Sequence, residues 1–303
     1  MQQLKLIQLY FYVCQVYEEE LKWHCERFTK NGIAPKFTDC ELLTTYLFGV
    51  GFEQRFQIKQ IHKYIANHWL SWFPNLPAYQ TYNDRLLRLV GVFPGLVNRL
   101  LIELAQHRSY SSWISLTDSM PIMTCSNRRH AKVGLELCNK GYNAVKKRHY
   151  HGVKLHAIGF LNPGGLPIPE YLQLSPASAH DLSCQRVLLE QLHQRVIVGD
   201  KAFRDKKLDQ VIQTNGGQLL TPVVYQDDIQ RALKQRTKAS DDLYSTAVAS
   251  IRQPIESFFN WLIEHTDIQR AAKVRSLKGL LVHVFGKIAA AFCSLIFNHI
   301  FCP

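Results

Sequence analysis

The sequence predicts a mixed α/β layer preceded by an all-helical region, and three observations carry that expectation. Through roughly the first hundred residues, apolar side chains recur at three- and four-residue steps, the period of helices with one buried face. After residue 109 the texture changes to short alternating or continuous apolar runs separated by turn residues, as in strands. Helical segments then fall between the later runs, in the order strand, strand, strand, helix, strand, helix, strand, helix.

The opening stretch MQQLKLIQLYFYVCQVYEEE lacks a basic leader and a small-residue cleavage site, and reads as an amphipathic helix, not a signal peptide. Thr38-Asp39-Cys40-Glu41 is a capping-box signature, followed on one face by Leu42, Leu43, Tyr46 and Leu47, with Gly49 and Gly51 expected to break the helix. Ile58, Ile61 and Ile65 mark a second helix closed by Pro74 and Pro77. Thr81 to Asp84 starts a third, with Leu86, Leu87 and Val90. Short helices with tight turns are compatible with a helix-turn-helix arrangement, in which Arg85 and Arg88 could touch a backbone phosphate. A plain bundle with solvated arginines fits the same pattern.

Trp113 to Thr117 reads as a short strand ending at Asp118. Val153–Leu161 and Ile168–Leu174 read as two strands joined through Pro163-Gly164-Gly165. His180–His193 is a helix with Asp181 near its start, and His180-Asp181 a cap for it. The run RVIV at 195–198 is a strand covered on both faces. A helix over Asp205–Gln213, a strand in GQLLTPV and a final helical region from about Ser240 complete the layer. Arg231, Lys234, Arg236 and Lys238, between Asp227-Asp228 and Asp241-Asp242, read as a solvated loop. His149, His151 and His156 lie in or near the strand after the basic run; 149 and 151 share a face, but without a third ligand in register, so packing or phosphate contact outweighs a zinc site. Near the C-terminus the longest apolar run, Ile288–Phe297, is too short to span a bilayer and reads as a buried core helix.

The 303 residues fit one large domain or two, expected as a helical region over 1–108 and a catalytic region over 109–303. With 36 Lys and Arg against 24 Asp and Glu, the net charge is +12, which points to a polyanionic partner, nucleic acid first. Eight scattered cysteines without a CxxC pair exclude a zinc ribbon or thioredoxin-like motif and suit a reducing cytosol.

Charge is also distributed unevenly. No acid lies between Leu137 and Pro169 or beyond Asp267, while Lys147, Arg148 and Lys154 fall in the first stretch and Lys201 and Arg204 flank Asp200. Two isolated carboxylates, Asp118 and Asp200, end strands in these basic surroundings. Chemistry collects at such strand ends. A carboxylate pair there repels unless a cation sits between, and all-oxygen ligation favours magnesium or manganese. Asp200 could equally cap the helix that follows. Gly199 would allow close packing beside the pair. A third carboxylate, Glu256, lies four residues after Arg252 on a helix face, where an exposed ion pair between the two is the plainer alternative. Pro254 between them either starts or kinks that helix.

Five stretches in order, LTDSMPI (116–122), GYNAVKKRHYHGVKLHAIGF (141–160), PASAHDLS (176–183), VGDKAFRD (198–205) and IRQPIESFF (251–259), resemble the DDE-type transposases of bacterial insertion sequences. The resemblance implies an α/β fold with a ribonuclease-H-like mixed sheet flanked by helices, preceded by an all-α, DNA-binding N-terminal region. It implies catalytic, metal-ligating roles for Asp118, Asp200 and Glu256 around two Mg2+ ions, with Mn2+ as a substitute, and identifies Arg252 with the family's helix arginine. DNA contacts are expected from Lys147, Arg148, Lys154, Lys201, Arg204, Arg252, Arg85 and Arg88. The tyrosine that some relatives carry three residues before the arginine is Ala249 here, and the lysine seven after the glutamate is Ile263. The implied activity is cleavage and strand transfer at the ends of an insertion element. Its partners are duplex DNA (terminal inverted repeats and target) and further copies of the chain, with no membrane, in the cytoplasm at the nucleoid. Rivals are a nuclease of the same fold that cuts without joining and a non-catalytic DNA-binding derivative. A carboxylate-pair glycosidase is disfavoured by the basic balance.

Overall fold

Helix α1 (Gln2–Glu19) buries Leu6, Leu9, Val13 and Val16 along one stripe, the amphipathic helix expected from the sequence. The computed structural model describes residues 2–25, 35–106, 110–126, 133–143, 146–224 and 231–300. Helix α2 (Asp39–Gly51) opens with the anticipated capping box: the Glu41 N–H donates to Thr38 Oγ1 at 3.1 Å and the Thr38 N–H to Glu41 Oε2 at 2.5 Å. Gly49 and Gly51 lie inside α2 and do not break it. A side chain at Gly51 would stand 2.5 Å from the Ala290 carbonyl, so glycine here serves close helix packing. Helices α3 (Ile58–His68), α4 (Tyr79–Arg88) and α5 (Val92–Gln106) follow, α4 starting two residues before Thr81.

The sheet has six strands: β1 (Ser111–Ser126), β2 (Asn139–Asn143), β3 (Arg148–Leu161), β4 (Ile168–Pro176), β5 (Val196–Val198) and β6 (Gln218–Leu220). Their order is β2-β3-β1-β5-β6, with β4 also on β3. Along one edge of β3, β2 pairs with 148–152 and β4 takes over from 153 to 160. The β1–β3 and β3–β4 pairs are antiparallel, whereas β1–β5 and β5–β6 are parallel. Helices α6 (Asp181–Glu190) and α7 (Lys206–Thr214) connect the parallel strands, giving the mixed sheet flanked by helices that the sequence predicts.

Three elements differ from expectation: β2 is not anticipated, and β1 and α8 are longer than expected. β1 runs to Ser126, well past Thr117, so Asp118 lies mid-strand and not at the strand's end. Between Leu116 and the Met123–Arg270 bridge only β3 pairs with β1 among the described residues, and the edge left open there tolerates Pro121 within the strand. Helix α8 (Arg231–Thr266) begins before Ser240 and contains Arg236 and Lys238, which are therefore helical and not in a loop; Arg231 and Lys234 are also on it, while Asp227 and Asp228 lie outside the described residues.

Helices α9 (Leu277–Leu281) and α10 (Lys287–Ile300), joined by a π-helical turn over Val282–Gly286, form the last helical stretch. Over Leu277–Asn298 it is long and apolar enough by composition to cross a membrane, which corrects the length argument made from 288–297 alone. It is 78% buried within the protein, the pattern of a core helix. Ile288, Phe292 and Cys293 join one cluster with Leu47 and Leu96 of the N-terminal helices and Leu155 of β3, so packing is continuous across residue 108.

Candidate active site

Parallel pairing of β1 with β5 places the two aspartates side by side. Leu116 is opposite Val198, so Asp118 and Asp200 each stand two residues beyond that last pair. The Gly199 N–H donates to the Leu220 carbonyl at 3.1 Å, prolonging the ladder up to Asp200. Asp200 Oδ1 accepts the Ala202 N–H at 2.9 Å and caps a single 3-10 turn, Lys201–Phe203. Capping is thus one use of this carboxylate, and its charge acts on Asp118 as well. Gly199 does not make room for the carboxylates: a side chain there would meet the Phe203 ring at 3.0 Å.

Helix α8 supplies the third carboxylate. It runs through Pro254 with Arg252 and Glu256 one turn apart. The Arg252 guanidinium donates from Nη1 to Asp118 Oδ2 at 3.0 Å and from Nη2 to Glu256 Oε1, drawing a residue of the strand and a residue of the helix to one cation. Its Nε is buried without a partner. The plainer reading of Glu256, an ion pair with Arg252, therefore holds, and the same arginine ties that pair to Asp118.

Burial pushes the Asp118 carboxyl up to about 7, and the nearby charges of Asp200 and Glu256 push the same way. Arg252 and the Ser119 N–H oppose them but do not win. A proton, a guanidinium or a metal ion could each relieve this crowding. The donor set, three carboxylates, is the chemistry that Mg2+ or Mn2+ prefers. Among the described residues, though, no three His, Cys, Asp or Glu are grouped closely enough to hold a metal ion as arranged here. The guanidinium holds Asp118 and Glu256 instead, so a cation would have to displace it.

The other site residues expected from the sequence divide into exposed cations and cations engaged within the fold. Lys147, Arg148, Lys201, Arg204 and Arg88 are exposed, and Arg204 donates to the Val224 carbonyl. Arg85 is engaged inside the N-terminal bundle, 2.7 Å from Asp39 Oδ1 and donating to the Phe37 carbonyl at 2.5 Å. Both partners are under one-fifth exposed, and the pair ties α4 to the start of α2. Lys154 is likewise occupied, bonded to Asp181 Oδ1 and to the Ala179 carbonyl, each at 2.9 Å.

That last contact exposes residues the sequence reasoning passed over. Asp181 Oδ1 also accepts the Ser119 hydroxyl at 2.9 Å. One turn along α6, Gln185 accepts from Thr117 Oγ1 and lies 3.4 Å from the Asp118 carbonyl. The residues on either side of Asp118 are thus clamped to α6 while Asp118 itself meets α8. His180 sits at the α6 N-cap position but makes no side-chain cap bond; the clamp comes from Asp181. His156, buried, bonds Ser175 at 2.7 Å, consistent with packing and not zinc ligation. The HD pair and the serine after Asp118 were the available signal, but only the fold places Lys154 between them. Asp181→Ala is expected to cost roughly 1–3 kcal/mol in chemical denaturation by leaving Lys154 half-buried and unpaired, and the Lys154→Met/Asp181→Leu double variant to regain most of it.

The family described as transposase DDE domain matches residues 109–293, more than half of the chain. The chain belongs to the DDE transposases. The transposase is accordingly an enzyme of DNA cleavage and transposition, and its family generally depends on divalent metal ions. No curated protein matches it. Among solved structures it is similar to "Mos1 transposase paired-end complex with left transposon end", at 12% identity over 81% of this chain and 87% of that one. The TM-score of 0.22 is too low to support any inference.

Proposed function

We propose that Asp118, Asp200 and Glu256 are the catalytic carboxylates, that they hold two Mg2+ ions, and that the enzyme cuts and rejoins DNA at the ends of an insertion element. The observation that carries this reading is the single Arg252 guanidinium bonded to both Asp118 and Glu256, with Asp200 two residues past the shared β1–β5 register. On this reading a central strand, its parallel neighbour and a distant helix each supply one carboxylate, and Arg252 now occupies two of the three. Bound divalent cations supply Lewis-acid stabilisation of the attacking and leaving oxygens of an in-line phosphoryl displacement.

The chain's own residues do the rest. Asp118 must give up its proton to ligate, and Arg252 must release it and Glu256. Once released, the guanidinium is free to pair with a backbone phosphate, as its unpartnered Nε suits. Exposed Lys201 and Arg204 stand beside Asp200, and Lys147 and Arg148 at the start of β3, where they hold phosphates in register. No side-chain nucleophile is needed, since water and then a DNA 3′-hydroxyl attack the phosphorus directly. The N-terminal helices, with Arg88 exposed on α4, form the region that recognises the element's ends. Its terminal inverted repeats and target are double-stranded DNA in the cytoplasm, and the active species is a homo-oligomer bridging two ends.

A duplex ending in a terminal repeat, pre-nicked at the element boundary and mixed with target plasmid and Mg2+, is expected to give joined product visible on a denaturing gel. Cleavage without any joined product would reduce the activity to that of a nuclease.

A further inference from the structure

The last turn of α8 and the residues after it form one side of a cavity of about 440 Å3, of whose lining only Arg148 enters the proposed function. Its lining brings together Lys146, shortly before β3, Arg148 at the start of β3, Arg270 from the segment after α8, and the carboxylates of Glu264 and Asp267. Met123 of β1 and the Phe56 ring supply apolar wall. The two acid-free basic stretches of the sequence, 137–169 and the chain beyond Asp267, therefore meet here.

The cavity is firmly built. The Met123 N–H donates to the Gln269 carbonyl and the Ala271 N–H to the Met123 carbonyl, both at 2.9 Å, stitching the segment after α8 to β1. Lys146 Nζ crosses to Gln269 Oε1 at 3.1 Å. Asp267 takes a left-handed backbone (φ +49°), with its carbonyl accepting from the buried Lys287 at 3.1 Å. Of the acids, Asp267 lies 3.8 Å from Arg270, and Glu264 is exposed on the helix. Arg148 and Arg270 are exposed, Arg270 at 79%, so two guanidinium forks stand at the rim of a fixed cleft. Forks of this kind suit phosphate oxygens.

The position relative to the carboxylates sets a length. Met123 is five residues beyond Asp118 on β1, about 17 Å at strand rise. Glu264 is eight residues beyond Glu256 on α8, about 12 Å at helical rise. At 3.4 Å per nucleotide step of duplex, those spans correspond to roughly four or five base pairs.

We infer that this cavity is a backbone-phosphate subsite for transposon DNA, gripping one strand about four or five nucleotides from the bond to be cut. The inference rests on the proposed function, because the distance is counted from the catalytic carboxylates. Its test uses the full chain and a duplex that the wild type cleaves, each phosphate in turn replaced by a neutral methylphosphonate. Neutralising the phosphate at the fourth or fifth position is expected to weaken wild-type binding roughly 3–10-fold, and binding by Arg148→Ala/Arg270→Ala less than about 2-fold. The double variant should also lower the salt dependence of binding by about one to two counterions. Glu264→Gln, which removes a repelling charge from an exposed helix position, is expected to tighten binding about 2-fold.

Equal sensitivity of wild type and double variant at every position would overturn the subsite. So would an effect of the variant on binding of inorganic phosphate, read by calorimetry, with none on the duplex. Absence of any cleavable duplex would instead remove the functional reading itself, a different failure.

Discussion

Asp118→Asn is expected to abolish cleavage while making the metal-free protein more stable. The loss follows from the ligand: replacing one carboxylate removes several kcal/mol of charge stabilisation in the transition state, a fall of roughly 1,000-fold or more in a Mg2+-dependent nicking assay. The gain follows from burial, which holds the folded carboxyl near pH 7 against an ordinary 3.8. A raised acid binds more protons folded than unfolded. Its stabilising contribution is full below pH 3.8 and is lost as pH rises through about 7. Above that, the ionised Asp118 costs up to ~4 kcal/mol, an upper bound because solvent reaches part of the group. Asparagine carries no such cost. Differential scanning calorimetry at pH 8 without metal should therefore show a Tm about 3–8 °C higher for the variant, with the gap closing toward pH 4. Mg2+ should raise the wild-type Tm and leave that of the variant nearly unchanged. A variant less stable than wild type at pH 8 would mean that the bond to Arg252 outweighs burial.

That trade explains why the sequence could be read as far as it was. Asp118 and Asp200 stand out in the sequence because a buried strand has no packing reason to carry a carboxylate; the parallel β1–β5 register sets them beside each other although Asp118 lies mid-strand. The N-terminal capping box and the α7 and β5 boundaries were legible because their signals are local. β2 was not: Asn139-Lys140-Gly141-Tyr142-Asn143 has almost no strand propensity, and it is a strand only because the 148–152 edge of β3 accepts it. β1 continues past Thr117 through Pro121, a residue that only an unpaired strand edge tolerates, and which edge is unpaired is a property of the sheet and not of the local sequence. Charged Arg236 and Lys238 looked like loop, yet such residues favour helix well enough to extend α8 toward Arg231. Lys154 and Arg85 looked like free cations because a sequence does not show which acid lies opposite. Asp181 is 27 residues from Lys154, and Asp39 is 46 from Arg85.

Arg252 is the residue whose replacement should separate metal binding from turnover. It donates to the same carboxylate oxygens that would ligate a cation, so it competes with metal for Asp118 and Glu256. Each charge-assisted bond is worth about 1.5 kcal/mol or more. Arg252→Gln is therefore expected to bind Mn2+ roughly tenfold more tightly at pH 8, by calorimetric titration of the full chain. At that pH the rise in the Asp118 pKa that follows removal of Arg252 is overcome by the metal's own charge. Cleavage should nonetheless fall about 100-fold, because the guanidinium displaced by metal is no longer there to meet the phosphate. Lysine at 252 keeps the charge but not the fork, and should recover only part of the rate. If Arg252→Gln instead weakened Mn2+ binding as severely as Asp118→Asn, the arginine would be orienting Glu256 for the metal and not holding its place. In that case α8 and β1 would already stand in their catalytic arrangement, and metal entry would require no exchange of partners.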